Sequence, residues 1–138
     1  MTNPDTFIAL AERCEQAAGP SNGLDAEIAL AIGYTHERRG TDRARWWRTP
    51  AGQQLAYVGY KNHPLFFTGS LDAAATLVPE GCDWHCQSNP SVSACWASVS
   101  PMKFDSKLQE WGSGMRRAST PALALCAAAL RARAAAHD

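Results

Sequence analysis

The segment Cys82-Asp83-Trp84-His85-Cys86 places two thiols and an imidazole within five residues, a spacing that raises the question of metal binding. Structural zinc sites use two close pairs of ligands, and the gap between Cys82 and Cys86 suits one such pair. The sequence has no clear second pair, because Cys95 is single and the other histidines lie far away along the chain. We therefore expect no metal site and no cofactor.

The same segment also fits a β-strand. Successive side chains on a strand point to opposite faces, so Cys82, Trp84 and Cys86 would share one face. This face is predicted to pack into the core, since a free cysteine behaves as a small hydrophobic residue. Asp83 and His85 would share the other face, which is predicted to be exposed and polar.

All five cysteines are predicted to be reduced thiols at apolar positions. An odd number of cysteines without an export signal argues against a disulfide framework. Cys14 and Cys126 fall on the apolar sides of predicted helices, beside other hydrophobic residues. The cysteines are Cys14, Cys82, Cys86, Cys95 and Cys126.

Catalytic patterns are scarce in the sequence. Cys86 and His85 cannot form a side-by-side pair on a strand, because neighbouring residues point to opposite faces. Asp83 and His85 are an acid and a base on one face, but no nucleophile can be named for them. Motifs for a P-loop, a nucleophile elbow or a zinc protease helix are absent. We expect a protein that is not an enzyme, and a small hydrolase that uses Asp83 and His85 is the last alternative, after a binding module and a self-associating protein.

The stretch HERRGTDRARWWRTP, residues 36–50, is the most distinctive candidate for binding. Five arginines minus Glu37 and Asp42 give it a local charge of plus three, while the whole chain has a formal net charge of zero. Guanidinium groups bind phosphate and indole rings stack on bases. A second group, near Gly112 and Gly114, could extend this surface. The candidate ligand-binding residues are Arg38, Arg39, Arg43, Arg45, Trp46, Trp47, Arg48, Trp111, Arg116 and Arg117.

Three interpretations of these residues stay open. The first is a binding module for a phosphate-bearing small molecule, a nucleic acid or a host protein. The second is a self-associating structural protein, a homodimer in which the tryptophans anchor the interface. The third is an ordinary solvated loop, in which one of the adjacent residues Trp46 and Trp47 packs inward and the other faces water.

Four helices are predicted from their start signals, a capping side chain that is followed in two cases by proline. The predicted starts are Asn3, Ser21 or Asn22, Ser70 and Thr120. After the first, second and last of these starts, apolar residues recur at spacings of three and four, as on one face of a helix. The first stripe extends to Ala18, and Gly33 ends the second helix.

Strands are predicted in two regions, one before the third helix and one between the third and fourth helices. Residues 82–88 and 91–100 are strand-like runs joined by Asn89-Pro90. Residues 34–59 are expected to be a long loop with one or two strands, and the run 53–60 is one of these. Residues 101–119 are expected to be a loop because of their two glycines.

These elements predict one domain, residues 1–138, of the α+β class. We expect an α-β-α layered sandwich, with a small and mostly antiparallel sheet covered by helices. The chain has no signal-peptide pattern and no apolar run near the roughly 20 residues that span a bilayer, so we expect a cytoplasmic protein without a membrane partner. The zero net charge excludes a basic field over the whole molecule.

Three blocks carry a family resemblance. They are FIALAERCEQAAGPSNGLDAEIALAIGY, then SLDAAATLVPEG followed by Trp84, then TPALALCAAALRARA. In this order they resemble the phage α-β-α sandwich domain of small phage and prophage proteins. The resemblance implies an α-β-α layered fold and a phage or prophage origin in a bacterial host. It implies no activity, cofactor or catalytic residue.

Overall fold

The computed structural model describes residues 3–38, 45–55, 65–89, 94–101 and 116–136. The helices in these ranges are α1 (Pro4–Gln16), α2 (Asn22–Ala31), α3 (Leu71–Ala75) and α4 (Pro121–Ala136). The strands are β1 (Thr35–Arg38), β2 (Arg45–Arg48), β3 (Cys82–Asn89), β4 (Ala94–Pro101) and β5 (Arg116–Ala118). The predicted α+β class, with small antiparallel sheets, is confirmed.

Each helix begins at its predicted cap. Every cap side chain accepts a hydrogen bond from the backbone N–H three residues later, at 2.9 to 3.3 Å. The caps are Asn3, Ser21, Ser70 and Thr120. Gly33 follows α2 with φ at +105°, a left-handed conformation that glycine adopts without a steric penalty. The predicted stripe of α1 was wrong at Ala18, which is exposed and lies beyond the end of the helix.

Two antiparallel sheets are described. β1 pairs with β2 in a hairpin, and β3, β4 and β5 form a separate sheet in that order. β3 and β4 pair without a break from Cys82 opposite Pro101 to Asn89 opposite Ala94. The loop prediction was wrong at β5, because three residues are too few to show a strand pattern and pairing with β4 is what holds them. Residues 102–115 lie outside the described ranges.

Helix α4 is the centre of the core. Every residue from Ala122 to Leu130 is buried, so the prediction of a single apolar face was too narrow. The physical reason is that α4 contacts the three-stranded sheet on one side and α1 and α3 on the other. Its many alanines allow neighbouring elements to approach closely, and the helix is buried on all sides as a result.

The sheet of β3, β4 and β5 has two distinct faces. On its inner face, Cys95, Ala97 and Val99 of β4 are buried against the helices. The alternate residues Trp96 and Ser98 are only partly buried and point to the outer face. Within the described residues, α4 and α1 are the helices that contact this sheet at several positions. None of the described helices is long and apolar enough to cross a bilayer.

Candidate functional site

The CDWHC segment lies on β3 with the alternation that the sequence predicts. Cys82 and Cys86 are partly buried against the core, and Asp83 and His85 are exposed. Trp84 departs from the prediction, because its side chain is 39% exposed although it points to the inner face. In the described part of the chain β3 is the outermost strand, so its inner face is only partly covered.

All five cysteines lie at apolar positions, as the sequence predicts. All five are free, and Cys14, Cys95 and Cys126 are buried. A hydrogen bond with the Cys14 thiol, together with burial, raises the pKa of Cys126 well above its ordinary value. Burial also raises the pKa of Cys82 and Cys86. The raised pKa values keep these three thiols protonated and weakly reactive. Among the described residues no group of three His, Cys, Asp or Glu could hold a metal ion.

The acid and the base of β3 do not contact each other. The Asp83 carboxylate accepts a hydrogen bond from the backbone N–H of Trp84 at 2.9 Å. The His85 Nε2 atom lies 3.5 Å from the Gln87 Oε1 atom, the partner two residues further along the same face. The imidazole thus lies beside an amide, whereas the base of a catalytic dyad would pair with a carboxylate.

The arginine–tryptophan stretch contains the hairpin of β1 and β2. The register places Arg38 opposite Arg45, the pair of the hairpin that is nearest to the connection between its strands. Arg39 and Arg43 lie outside the described residues, and so do the side chains of Arg38, Arg45 and Trp46. For Arg38 and Arg45 the structure therefore gives the backbone positions on the two strands.

At the base of the hairpin, a tryptophan packs inward and an arginine faces solvent. The Trp47 side chain is partly buried against the core, as expected for one of two adjacent tryptophans. Its ring meets the His36 ring edge to face, with centroids 4.7 Å apart. Arg48 is exposed, and its guanidinium donates to the Gly52 carbonyl at 3.5 Å. The hairpin thus presents Arg48 at the surface while Trp47 anchors it.

The second arginine group lies on the other sheet. Arg117 is exposed and pairs with Trp96 across β4 and β5. Its guanidinium carbon is 5.9 Å from the indole centroid, within the range of a cation–π contact. Arg116 is partly buried opposite Ala97, and Trp111 lies outside the described residues. The two arginine groups share no strand in the described parts of the chain.

We define the outer sheet face as the surface that the side chains opposite to the core form on β3, β4 and β5. Its members are Asp83, His85, Gln87, Trp96, Ser98, Ser100 and Arg117. Gln87, Trp96 and Arg117 form one row across the three strands. An amide, an indole and a guanidinium therefore lie side by side, with the Ser98 hydroxyl and the His85 imidazole as the next pair along the strands.

The sequence prediction missed Trp96 and Gln87 as members of a site. A signal was present, because Trp96 lies between Cys95 and Ala97 and must point away from the face they share. The position of Arg117 beside Trp96 could not be predicted, since β5 itself was not.

The chain matches no family model, no curated protein and no solved structure. The resemblance to the phage α-β-α sandwich domain consequently stays a prediction from three sequence blocks.

Proposed function

We propose that this protein is a non-enzymatic binding module that holds a phosphate-bearing ligand, in particular single-stranded nucleic acid, on its outer sheet face. The observation that carries the proposal is the contact between Arg117 and Trp96 in the middle of an exposed row of side chains. Proteins that bind single strands combine an aromatic platform for a base with a cation for the backbone.

The row offers each of the groups that one nucleotide needs. A base can stack on the partly buried Trp96, and stacking contributes about 1–3 kcal/mol per base. Arg117 can reach a phosphate, for which a guanidinium is the preferred partner. Gln87, opposite Trp96 on β3, and Ser98, two residues from Trp96 on β4, can form hydrogen bonds with the ligand.

The hairpin is the second surface in this proposal. Arg48 is exposed at its base, and the stretch that includes it has a local charge of five minus two, or plus three. Such a charge attracts a polyanion over a longer range than a stacking contact does. We assign the hairpin to attraction and the outer sheet face to recognition.

The three resembling sequence blocks support a further part of the proposal, that the protein is an accessory protein of phage or prophage origin in the cytoplasm of a bacterial host. The same surface also suits a nucleotide or an acidic patch of a host protein, and adding either one unlabelled as a competitor to the titration below distinguishes these ligands.

The experiment compares two arginine variants in a fluorescence anisotropy titration with a labelled oligothymidine. Arg117→Gln removes the guanidinium beside Trp96, and Arg13→Gln removes an exposed guanidinium from helix α1. Both variants lose one positive charge, so the overall electrostatic change is matched. We expect Arg117→Gln to weaken binding about ten-fold, equivalent to about 1.4 kcal/mol, and Arg13→Gln to leave it nearly unchanged.

The hairpin contribution is measured separately with Arg43, Arg45 and Arg48 changed to glutamate. We expect this variant to bind weakly and to show a smaller dependence of affinity on salt. Equal affinity for the wild type, Arg117→Gln and this hairpin variant would contradict the proposal, as would the absence of any binding by the wild type.

A further inference from the structure

We propose that the edge of β3 that no described strand covers pairs antiparallel with β3 of a second copy of this chain, joining two three-stranded sheets into one sheet of six strands. In the described residues β4 is the strand that pairs with β3, and β3 is outermost in the order β3-β4-β5. On such an edge every second residue directs its N–H and C=O groups away from the sheet. This inference does not depend on the proposed function.

Among the described residues, the edge of β3 has few of the features that usually protect an edge strand, and the Asp83 carboxylate is the exception. It is eight residues long, and its sequence CDWHCQSN contains no lysine, arginine, proline or glycine. Its pairing with β4 runs without a break, so no bulge twists it away. Natural proteins protect long edges by such devices because an unprotected edge pairs with another chain.

The other edge of the same sheet shows a contrasting design. The described part of β5 has three residues, and two of them are Arg116 and Arg117. A short edge with adjacent charges is poorly suited to pair with a further strand. The difference between the two edges selects β3 as the interface and predicts a closed pair rather than an open chain of sheets.

Trp84 supplies an apolar anchor at the β3 edge. It is the third residue of the strand, and 39% of its surface is exposed on the inner face. The neighbouring inner-face residues Cys82 and Cys86 already pack against the core. A strand added at this edge would lie beside the indole and could cover part of its exposed surface. Buried tryptophans of this kind carry much of the binding energy in protein interfaces.

A two-fold axis perpendicular to the sheet keeps inner-face residues opposite inner-face residues. If the axis passes at Cys86, Trp84 lies opposite Ser88, and His85 lies opposite Gln87. Asp83, the one carboxylate of β3, then lies opposite Asn89. This register places no like charges opposite each other and sets the large indole against a small side chain. The sequence of the edge is therefore complementary to itself.

The same axis would bring two outer sheet faces onto one side of the six-stranded sheet. The two copies of Trp96 would be three strand spacings apart, about 14 Å measured across the strands. One nucleic acid strand could then contact both platforms, and the second contact would be favoured by its high effective concentration.

The test combines sedimentation velocity with amide hydrogen exchange on the full chain. We expect the wild type to be a dimer, and Trp84→Lys to be a monomer with unchanged far-ultraviolet circular dichroism. Leu30→Lys is the matched control, because Leu30 is a similarly exposed apolar residue, 45% exposed, on helix α2. This control should remain a dimer.

Hydrogen exchange in the wild type tests the interface even if Trp84→Lys fails to fold. In a β3-paired dimer all interior amides of β3 are protected, whereas in a monomer every second amide exchanges rapidly. A monomeric wild type would overturn the inference. So would a dimer in which the alternate β3 amides exchange rapidly, because its interface would lie elsewhere.

Discussion

Replacing Asp25 tests how the fold holds helix α2 against the segment before helix α3. Asp25 is only 5% exposed, and its Oδ1 atom accepts a hydrogen bond from the backbone N–H of Thr68 at 2.8 Å. Thr68 is fully buried. Its hydroxyl accepts from the Ser21 N–H at 2.9 Å and contacts the Ser21 carbonyl at 3.3 Å. One carboxylate and one hydroxyl thus join two distant parts of the chain.

Asp25→Ala leaves the buried N–H of Thr68 without an acceptor. A buried polar group that loses its partner costs about 1–3 kcal/mol, and we expect the free energy of unfolding to fall by that amount. Asp25→Asn keeps an oxygen acceptor at the same position and removes the buried charge. We expect it to change the free energy of unfolding by less than about 1 kcal/mol at neutral pH.

The pH dependence of the free energy of unfolding is a second test of the role of Asp25. Burial raises the pKa of Asp25 above its ordinary value of 3.8, and the hydrogen bonds from Thr68 oppose the shift only in part. Because the folded-state pKa is the higher one, the stability that protonated Asp25 contributes is full below 3.8 and is lost as pH rises through the folded pKa. Asparagine does not titrate, so the wild type should lose stability relative to Asp25→Asn across that interval.

Urea denaturation at a series of pH values measures the free energy of unfolding of the wild type and both variants. An equal slope m shows that each protein exposes a similar surface on unfolding, so that their free energies can be compared. The reasoning would be refuted if Asp25→Asn were as unstable as Asp25→Ala at neutral pH. It would also be refuted if the wild type gained stability relative to Asp25→Asn as the pH rose.

Two further predictions concern thiols and ion pairs. In native protein at mildly alkaline pH, alkylation should label only Cys82 and Cys86, because the other cysteines are buried. The labelling should be slow, because the pKa values of these two thiols are raised. Peptide mapping by mass spectrometry measures the labelling, and rapid reaction of all five thiols would contradict the prediction. Arg131→Ala should lower the free energy of unfolding by about 1–3 kcal/mol, because its guanidinium makes two hydrogen bonds with the partly buried Glu15 carboxylate, at 3.0 and 2.7 Å. Arg13→Ala should cost less than about 1 kcal/mol, since this ion pair is half exposed, and equal losses in the two variants would argue against the explanation.

Local signals predicted much of the fold. The capping side chains at Asn3, Ser21, Ser70 and Thr120 fixed the helix starts, because a cap is decided by residues within one turn. The alternation in residues 82–100 predicted both β3 and β4 and the faces of their side chains. The class of the fold follows from these elements, since both helices and sheet must bury an apolar face.

Features that depend on distant contacts could not be predicted in this way. β5 forms because β4 offers an edge, and its three residues contain no periodicity of their own. Trp84 lies on the outermost of the described strands and is exposed there, and a sequence pattern does not reveal the order of strands in a sheet. Trp96 is similar, because the residue that gives it a binding role, Arg117, is 21 positions away and becomes its neighbour only through the sheet.

The most direct test of the proposed function is a chemical-shift perturbation experiment with a short oligothymidine. If the outer sheet face binds the oligonucleotide, the shifts centre on this face. The indole N–H of Trp96 and the backbone amides of Gln87, Ser98 and Arg117 then move together and saturate with one affinity. Smaller shifts are expected at Arg48. Shifts confined to the helices, or no shifts at Trp96 and Arg117 while the oligonucleotide binds, would contradict the claim that this face is the binding site.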